Sequence, residues 1–414
     1  MDQIKLSHKT NSLSGMIQLE SSKSESNRVL LIQALCDHHI DITNISEAND
    51  SVLMQTLLQR DSTIIDAEDA GTTFRFLTAY YSLIGSVEKL TGTERMKKRP
   101  ILKLVDALKI LGMDISYLEK DGFPPLKLNG MKKQLTNKLS IDASISSQYI
   151  SALLLISPEL PLGLELELIG KISSRPYIQM TVNLMKQFGA KVEWSGTTIS
   201  VLPQKYTASS YRIESDWSGA SYWYSLVSLS TNGTILLKGL RKESNQGDSV
   251  IVDLMNHLGV KTIFLHDSIR LEKIPAKNLF EYDFSDCPDL AQTVIVICAM
   301  KGIKSRFSGL ESLRIKETDR ILALQTELRK FEIDLSEENN ILSLNGSMPV
   351  FKEAIEINTY LDHRMAMAFA PVSLLTESVC VDNPSVVRKS YPSFWNHLKD
   401  IGFELTVTES VMSV

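Results

Sequence analysis

Basic residues recur beside stretches that open as helices throughout this 414-residue chain. Lys23 and Arg28 lie in Ser22-Lys23-Ser24-Glu25-Ser26-Asn27-Arg28, and Arg75 closes Asp69-Ala70-Gly71-Thr72-Thr73-Phe74-Arg75. Arg95 and Arg99 fall in Arg95-Met96-Lys97-Lys98-Arg99-Pro100, and Arg175 precedes Pro176. Arg314, Lys316 and Arg320 frame Arg314-Ile315-Lys316-Glu317-Thr318-Asp319-Arg320. Arg364 ends Leu361-Asp362-His363-Arg364, and Lys389 precedes Ser390-Tyr391-Pro392. A helix N-terminus offers unpaired N–H groups and a partial positive charge, which suits phosphate or carboxylate. Arginine adds a planar bidentate fork and lysine a compact charge. Convergence of several such starts predicts a site for strongly anionic ligands. Taken singly, each basic residue reads as a solvated surface charge. Arg314 to Arg320 alone reads as i,i+3 and i,i+4 ion pairs on an exposed helix. The co-occurrence carries the argument.

The elements that must hold these residues follow from two recurring patterns. Clusters of small and polar residues near Ser24, Asp69, Ser146, Asp216, Asp289 and Asp362 each run into an apolar helical pattern, and Ser and Asp are preferred N-caps. Helical stretches also end in an apolar residue, a Gly and a short alternating strand, at Gly112, Gly189, Gly259 and Gly402, with Glu332 in the Gly position. Gly there suits a left-handed helix C-terminus. Alternation over residues 163–169, 191–202 and 234–237 reads as strand. The spacing predicts six units of about 70 residues, and hence an α/β protein of two three-unit domains with a short junction.

Composition narrows the class. Apolar residues are 43% and charged residues 22%, as in ordinary globular proteins. No apolar run reaches the ~18 residues of a membrane span, and the first ten residues alternate without a signal-peptide stretch. Lys+Arg is 44 against Asp+Glu 49, a net charge of −5, which argues against coating nucleic acid. Cys36, Cys287, Cys298 and Cys380 are far apart without a CxxC pair, so a reducing cytoplasm is expected. Walker A, HExxH, GxSxG and GxGxxG patterns are missing from the sequence.

At its basic motifs the sequence resembles the 5-enolpyruvylshikimate-3-phosphate synthase family, the 3-phosphoshikimate 1-carboxyvinyltransferases. The ordered series comprises Lys23-Ser24 through Asn27-Arg28, Ala70-Gly71-Thr72, Thr91-Gly92 with Arg95-Met96-Lys97 and Arg99-Pro100, Ser146-Ser147-Gln148 and Arg175-Pro176-Tyr177. It continues with Gln246-Gly247-Asp248, Pro288-Asp289, Lys316-Glu317-Thr318-Asp319-Arg320, Asp362-His363-Arg364-Met365-Ala366, and Lys389 before Tyr391-Pro392. The resemblance implies two similar domains, each of three βαβαββ units in an inside-out, barrel-like α/β arrangement, with the active site in the cleft between them. One domain would span 20–214 and the other 1–19 plus 215–414. Ligands held from both halves would draw such a cleft shut.

The reaction implied is transfer of the enolpyruvyl group of phosphoenolpyruvate to the 5-hydroxyl of shikimate 3-phosphate, releasing phosphate, in aromatic amino acid biosynthesis. Carried over by position, shikimate 3-phosphate ligands fall on Lys23, Ser24, Arg28, Ser146, Ser147, Gln148, Ser174, Tyr177, Asp289 and Lys316. Phosphoenolpyruvate ligands fall on Lys23, Gly71, Arg99, Gln148, Arg320, Arg364 and Lys389. Two carboxylates in a cationic pocket can divide proton transfers if their environments separate their pKa values. The resemblance makes Asp289 the base for the hydroxyl, Glu317 the group exchanging the carbon proton, and Lys23 a stabiliser of charge on the intermediate. The bland alternatives are an N-cap for Asp289, simple capping by Ser146 and Ser147, and an intrahelical ion pair between Glu317 and Arg320. His363 ranks below these as an orienting group. No metal or organic cofactor is implied, and a cytoplasmic monomer sensitive to glyphosate is expected, with Gly71 leaving room beside phosphoenolpyruvate.

Two departures stand out. Asp69 and Ser312 occupy positions where the family usually has Asn. The related transferase acting on UDP-N-acetylglucosamine shares the six-unit fold but presents a Cys on a mobile loop, whereas the four cysteines here sit in apolar or strand-like surroundings. A non-catalytic anion-binding protein would not need Asp289 and Glu317 together.

Overall fold

The computed structural model describes residues 2–85, 87–144 and 146–408. The chain divides into two compact units, Met1–Ser21 with Glu214–Val414 and Ser22–Ile213, and each encloses its own hydrophobic core.

Among the described residues five four-stranded mixed sheets share one plan. In Ser22–Ile213, Ile64–Asp66, helix Gly71–Ile84, Val87–Thr91, helix Leu102–Leu111, Met113–Tyr117 and Leu126–Met131 follow one another as βαβαββ. The first two strands pair in parallel, and the fourth lies antiparallel between the second and third. Lys138–Asp142 to Thr198–Val201 repeat the plan, as do Leu279–Asp283 to Ile341–Leu344 in the other unit. The two remaining sheets recruit the N-terminus. Ser12–Gln18 pairs in parallel with Asn232–Lys238, and Gln3–Ser7 lies between Ser378–Asp382 and Glu404–Thr408.

The sixth unit is truncated. Among the described residues its sheet holds only Ile42–Thr43 and Tyr211–Arg212, paired in parallel. Its second helix, Asn49–Leu58, is followed by Gln59-Arg60-Asp61 rather than a Gly and an alternating run, so the chain passes directly into Ile64–Asp66. Among the described residues the six sheets remain separate and no sheet closes on itself, so the expected α/β plan of repeated βαβαββ units is built from separate sheets. The punctuation explains the other five. Residues 112, 189, 259, 332 and 402 all have positive φ, from 60° to 107°, and each precedes the third strand of its unit.

The first helix of several units is buried on nearly every side. Ala291–Met300 is wholly buried, Trp217–Leu229 nearly so, and Ser147–Ile156 is buried from Tyr149 onward, the composition of an internal helix. Second helices such as Leu102–Leu111 and Ile251–Leu258 bury one stripe. Strands alternate buried and exposed residues, as in Leu126–Met131, so one sheet face meets the helices and the other meets water. Internal helices with polar first turns place charged side chains at the rim of each core.

Candidate active site

In Ser22–Ile213 the starts of five helices are tied together. Arg28, 2% exposed, sits on helix Lys23–Leu35, which is capped by Ser22 accepting from the Glu25 N–H. Its Nε donates to Thr181 Oγ1 at 2.7 Å, and Nη1 donates to the Ser24 carbonyl at 2.7 Å. Its Nη2 donates to Ser151 Oγ at 3.2 Å and the Tyr177 carbonyl at 3.3 Å, while the guanidinium lies over Phe76. Every partner is neutral. Burial lowers the Arg28 pKa to about 10, with Tyr177 and Glu25 opposing it.

Lys23 Nζ pairs with Asp50 Oδ2 at 3.3 Å, and Thr73 Oγ1 donates to the Asp50 carbonyl at 2.9 Å, linking this site to helix Gly71–Ile84. There Arg75 Nη1 donates to the Gly71 carbonyl at 3.0 Å and Gln148 Oε1 at 2.7 Å. Gln148 Nε2 in turn donates to Thr72 Oγ1 at 3.0 Å. A Cβ on Gly71 would stand 2.5 Å from Arg99 Nη1 and 2.8 Å from Arg75 Nη1, so two guanidinium groups crowd this helix start and would have to shift for any side chain there. Ser146 caps Ser147–Ile156 by position but makes no side-chain capping bond. Ser174, at the head of Arg175–Gln187, is left-handed with φ 54°, an uncommon state for a non-glycine residue. Ser24, Ser146, Ser147, Gln148, Ser174 and Tyr177 are all half-buried.

The other unit gathers carboxylates and cations. Asp289, in the 3-10 turn before Ala291–Met300, accepts from Arg364 Nη2 at 2.7 Å and Arg320 Nη1 at 3.3 Å. Lys316 Nζ stands 3.9 Å from its Oδ1. Burial pushes a carboxyl upward, but Arg364, Lys316 and Arg320 outweigh it and hold Asp289 well below the usual carboxylate range. Arg320, 1% exposed, opens helix Arg320–Arg329 and also donates to Glu317 Oε2 at 2.8 Å and Asp362 Oδ2 at 2.7 Å. Burial opposes its charge, yet Asp362, Glu317 and Asp289 keep it above its ordinary value. Lys389 Nζ reaches Glu317 Oε1 at 3.4 Å. Asp362 caps helix His363–Phe369 by accepting from the Arg364 N–H at 2.9 Å. Arg364 Nη1 also donates to Tyr222 OH at 3.3 Å.

Thus Asp289, Lys316, Glu317, Arg320, Arg364 and Lys389 form one cluster, while Lys23, Ser24, Arg28, Gly71, Arg99, Gln148 and Tyr177 are linked in the other unit. The expected ion pair between Glu317 and Arg320 exists, but Glu317 lies before the helix, whose N-cap is Asp319. The exposed pairs belong to Arg314 instead, with Asp319 and Glu337. Asp69 is not the cap of Gly71–Ile84; Ala70 is, without a side-chain bond, and Asp69 accepts from Thr93 Oγ1. Asp289 likewise lies inside a 3-10 turn rather than at an N-cap. Ser312 is half-buried in the turn Glu311–Ile315. His363 is 2% exposed, with Nδ1 3.5 Å from Asp362 Oδ1. Asp50 and Tyr222 were missed. Asp50 opens a helix and is 5% exposed, but only the fold brings it to Lys23. Asp248 belongs to the Gln246-Gly247-Asp248 motif, to which the sequence assigns no role. Burial and the negative charge of Asp289 push it upward, and Ser218 donates to it.

Comparison with known proteins agrees with this geometry. The family model for EPSP synthase (3-phosphoshikimate 1-carboxyvinyltransferase) matches residues 55–398. A 3-phosphoshikimate 1-carboxyvinyltransferase of Bacteroides fragilis (strain YCH46) is 47% identical over 397 residues, covering 95% of this chain and 96% of the relative. One from Haemophilus influenzae (strain PittGG) is 35% identical over 430 residues, covering 94% and 97%. The solved EPSP synthase of Acinetobacter baumannii superposes with a TM-score of 0.77 at 17% identity, over 99% of this chain and 100% of that one, so the fold is shared. The chain belongs to the EPSP synthase family of 3-phosphoshikimate 1-carboxyvinyltransferases.

Proposed function

We propose that this protein transfers the enolpyruvyl group of phosphoenolpyruvate to the 5-hydroxyl of shikimate 3-phosphate, releasing phosphate by addition and elimination. Family membership supports the reaction. The observation that carries our assignment of roles is the placing of two carboxylates among cations that overlap only at Arg320. Asp289 is held by Arg364, Arg320 and Lys316, and Glu317 by Arg320 and Lys389.

Each substrate carries a phosphate of about −1.5 to −2 charge and a carboxylate. Arg28 has no carboxylate within ion-pair distance among the described residues, and we assign it to shikimate 3-phosphate. Ser24, Ser146, Ser147, Ser174 and Tyr177, and also Lys316 and Asp289, are assigned polar contacts to the same substrate. Gly71, Arg99, Gln148, Arg320, Arg364 and Lys389 receive phosphoenolpyruvate, and Lys23 serves both.

Asp289 accepts the proton of the attacking hydroxyl, and Glu317 delivers and recovers the proton at the methylene carbon. Its three cation partners make Asp289 a weak base. Substrate anions that draw Arg320, Arg364 and Lys316 toward themselves raise its basicity. The base is thereby strengthened only when the substrates are in place. Lys23 stabilises charge on the tetrahedral intermediate and departing phosphate.

We place the enzyme in the cytoplasm, as a monomer without an organic cofactor. Cys36, Cys287, Cys298 and Cys380 are all free thiols. No described helix is long and apolar enough to cross a membrane. Burial pushes the Cys298 thiol up to about 12 and raises Cys287 likewise, which fits packing rather than reactivity. Phosphate release from phosphoenolpyruvate, measured with shikimate 3-phosphate and separately with UDP-N-acetylglucosamine, tests the reading. Release with the shikimate ester alone is expected; release with only the nucleotide sugar, or with neither, overturns it.

A further inference from the structure

The segment leading into Asp362 adopts an unfavourable backbone. Asp362 N–H donates to the Thr359 carbonyl at 2.9 Å, closing a β-turn whose central residues, Tyr360 and Leu361, have φ 53° and 58°. Turns with two positive φ angles favour Gly, Asn and Asp. A tyrosine followed by a leucine, the latter 57% exposed, resists this conformation. Something must hold it.

The holding groups are visible. Tyr360 OH donates to Glu327 Oε1 at 2.7 Å, and the Asn358 N–H donates to Glu327 Oε2 at 3.1 Å. Lys330 Nζ also donates to Oε2, at 2.6 Å. The Thr359 N–H donates to Asp382 Oδ1 at 2.6 Å. Glu327 is fully buried and lies on helix Arg320–Arg329. One helix therefore carries Arg320, which grips the Asp362 carboxylate, and two turns later Glu327, which grips the turn that delivers Asp362. The Asp362 carboxylate also accepts from the Arg364 N–H, so the turn sets the start of the helix bearing that arginine.

We infer that Glu327 and Tyr360 are positioning residues, clamping a strained turn so that Asp362 aligns Arg320 and Arg364 for the anionic substrate. This rests on the reading that these two arginines receive phosphoenolpyruvate. The clamp acts on ground-state placement, so its loss falls on KM more than on kcat.

Tyr360→Phe removes one hydroxyl and keeps the ring. It is expected to raise KM for phosphoenolpyruvate about ten-fold, equivalent to about 1.4 kcal/mol, with kcat within about three-fold. Leu361→Asn, which eases the left-handed conformation, is expected to raise the melting temperature in the wild-type background. It should also return KM of the Tyr360→Phe variant to within about three-fold of wild type. Leu328→Ala, a core truncation on the same helix, should lower the melting temperature without moving KM. Tyr360→Phe with unchanged KM, an equal fall in kcat, or no rescue by Leu361→Asn overturns the clamp. Amide exchange in the ligand-free protein separates this from failure of the reaction reading. Tyr360→Phe should speed exchange at the Asp362 and Arg364 N–H groups at least about ten-fold, whatever the substrate proves to be, and unchanged exchange overturns the clamp.

Discussion

A single guanidinium holds both ends of Asp289: Arg364 donates through Nη2 to its carboxylate at 2.7 Å and through Nη1 to its carbonyl at 3.1 Å. The geometry fixes where the carboxylate points and keeps it ionised. Asp289→Asn preserves the shape but cannot accept a proton. We expect kcat to fall by about 10² to 10⁴, the usual contribution of a positioned base, in the phosphate-release assay. A fall of less than about ten-fold contradicts the assignment.

The same pairing has a consequence for stability. The partners hold the folded-state pKa of Asp289 below its unfolded value of about 3.9. The stabilisation is therefore complete above the unfolded value and is lost as pH falls toward the folded one. Asp289→Asn should melt below wild type at pH 7, with the gap narrowing below about pH 4. A gap that stays constant from neutral to acid pH is the contrary result.

Lys301 offers the opposite sign. Its Nζ and that of Lys273 both donate to the Ser228 carbonyl, at 3.0 and 2.9 Å, near the C-terminus of helix Trp217–Leu229. Burial, then Lys273, lowers the Lys301 pKa to about 8. Between about pH 8 and the unfolded value near 10.4 the unfolded chain binds more protons at this group, so stability rises with pH across that window. Lys301→Met should remove this component. Parallel pH–stability curves for variant and wild type would falsify it.

Gly71 lies where a side chain would strike Arg99 and Arg75. Both are flexible at their ends, so Gly71→Ala should fold and shift them. We expect wild type to be inhibited by glyphosate, and Gly71→Ala to weaken inhibition by about ten-fold or more while raising KM for phosphoenolpyruvate less. Wild type unaffected by millimolar inhibitor would contradict this.

Arg28 is a buried cation among neutral acceptors. Arg28→Met should cost at least about 100-fold in shikimate 3-phosphate affinity while lowering the melting temperature by no more than a few degrees. Calorimetric titration and thermal melts together decide it. Unchanged affinity would remove Arg28 from the binding site.

Much of this was legible before any coordinates. The Gly residues at 112, 189, 259 and 402 mark helix ends because left-handed backbone is a local property of one residue, and Glu332 followed them with φ 60°. The caps at Asp216 and Asp362 were likewise local and do accept backbone N–H groups. Asp69 failed as a cap because its carboxylate accepts from Thr93, on a different segment. The truncated sixth unit was hidden because a two-residue strand leaves almost no alternation to read. Asp50 beside Lys23, and Glu327 beside Tyr360, could not be foreseen for the same reason: pairs distant in sequence meet only through packing. The site motifs were readable as types, but which carboxylate meets which cation depended on the fold.

The division of labour between the two acids is the most exposed claim. Turnover in D2O with phosphoenolpyruvate and shikimate 3-phosphate should place deuterium in the methylene group of recovered substrate or product, because the added proton is later withdrawn from a methyl carbon. Wild type should show this incorporation, and Glu317→Gln should slow it by at least about 100-fold. Incorporation by Glu317→Gln at the wild-type rate would mean that the carbon proton travels through another group.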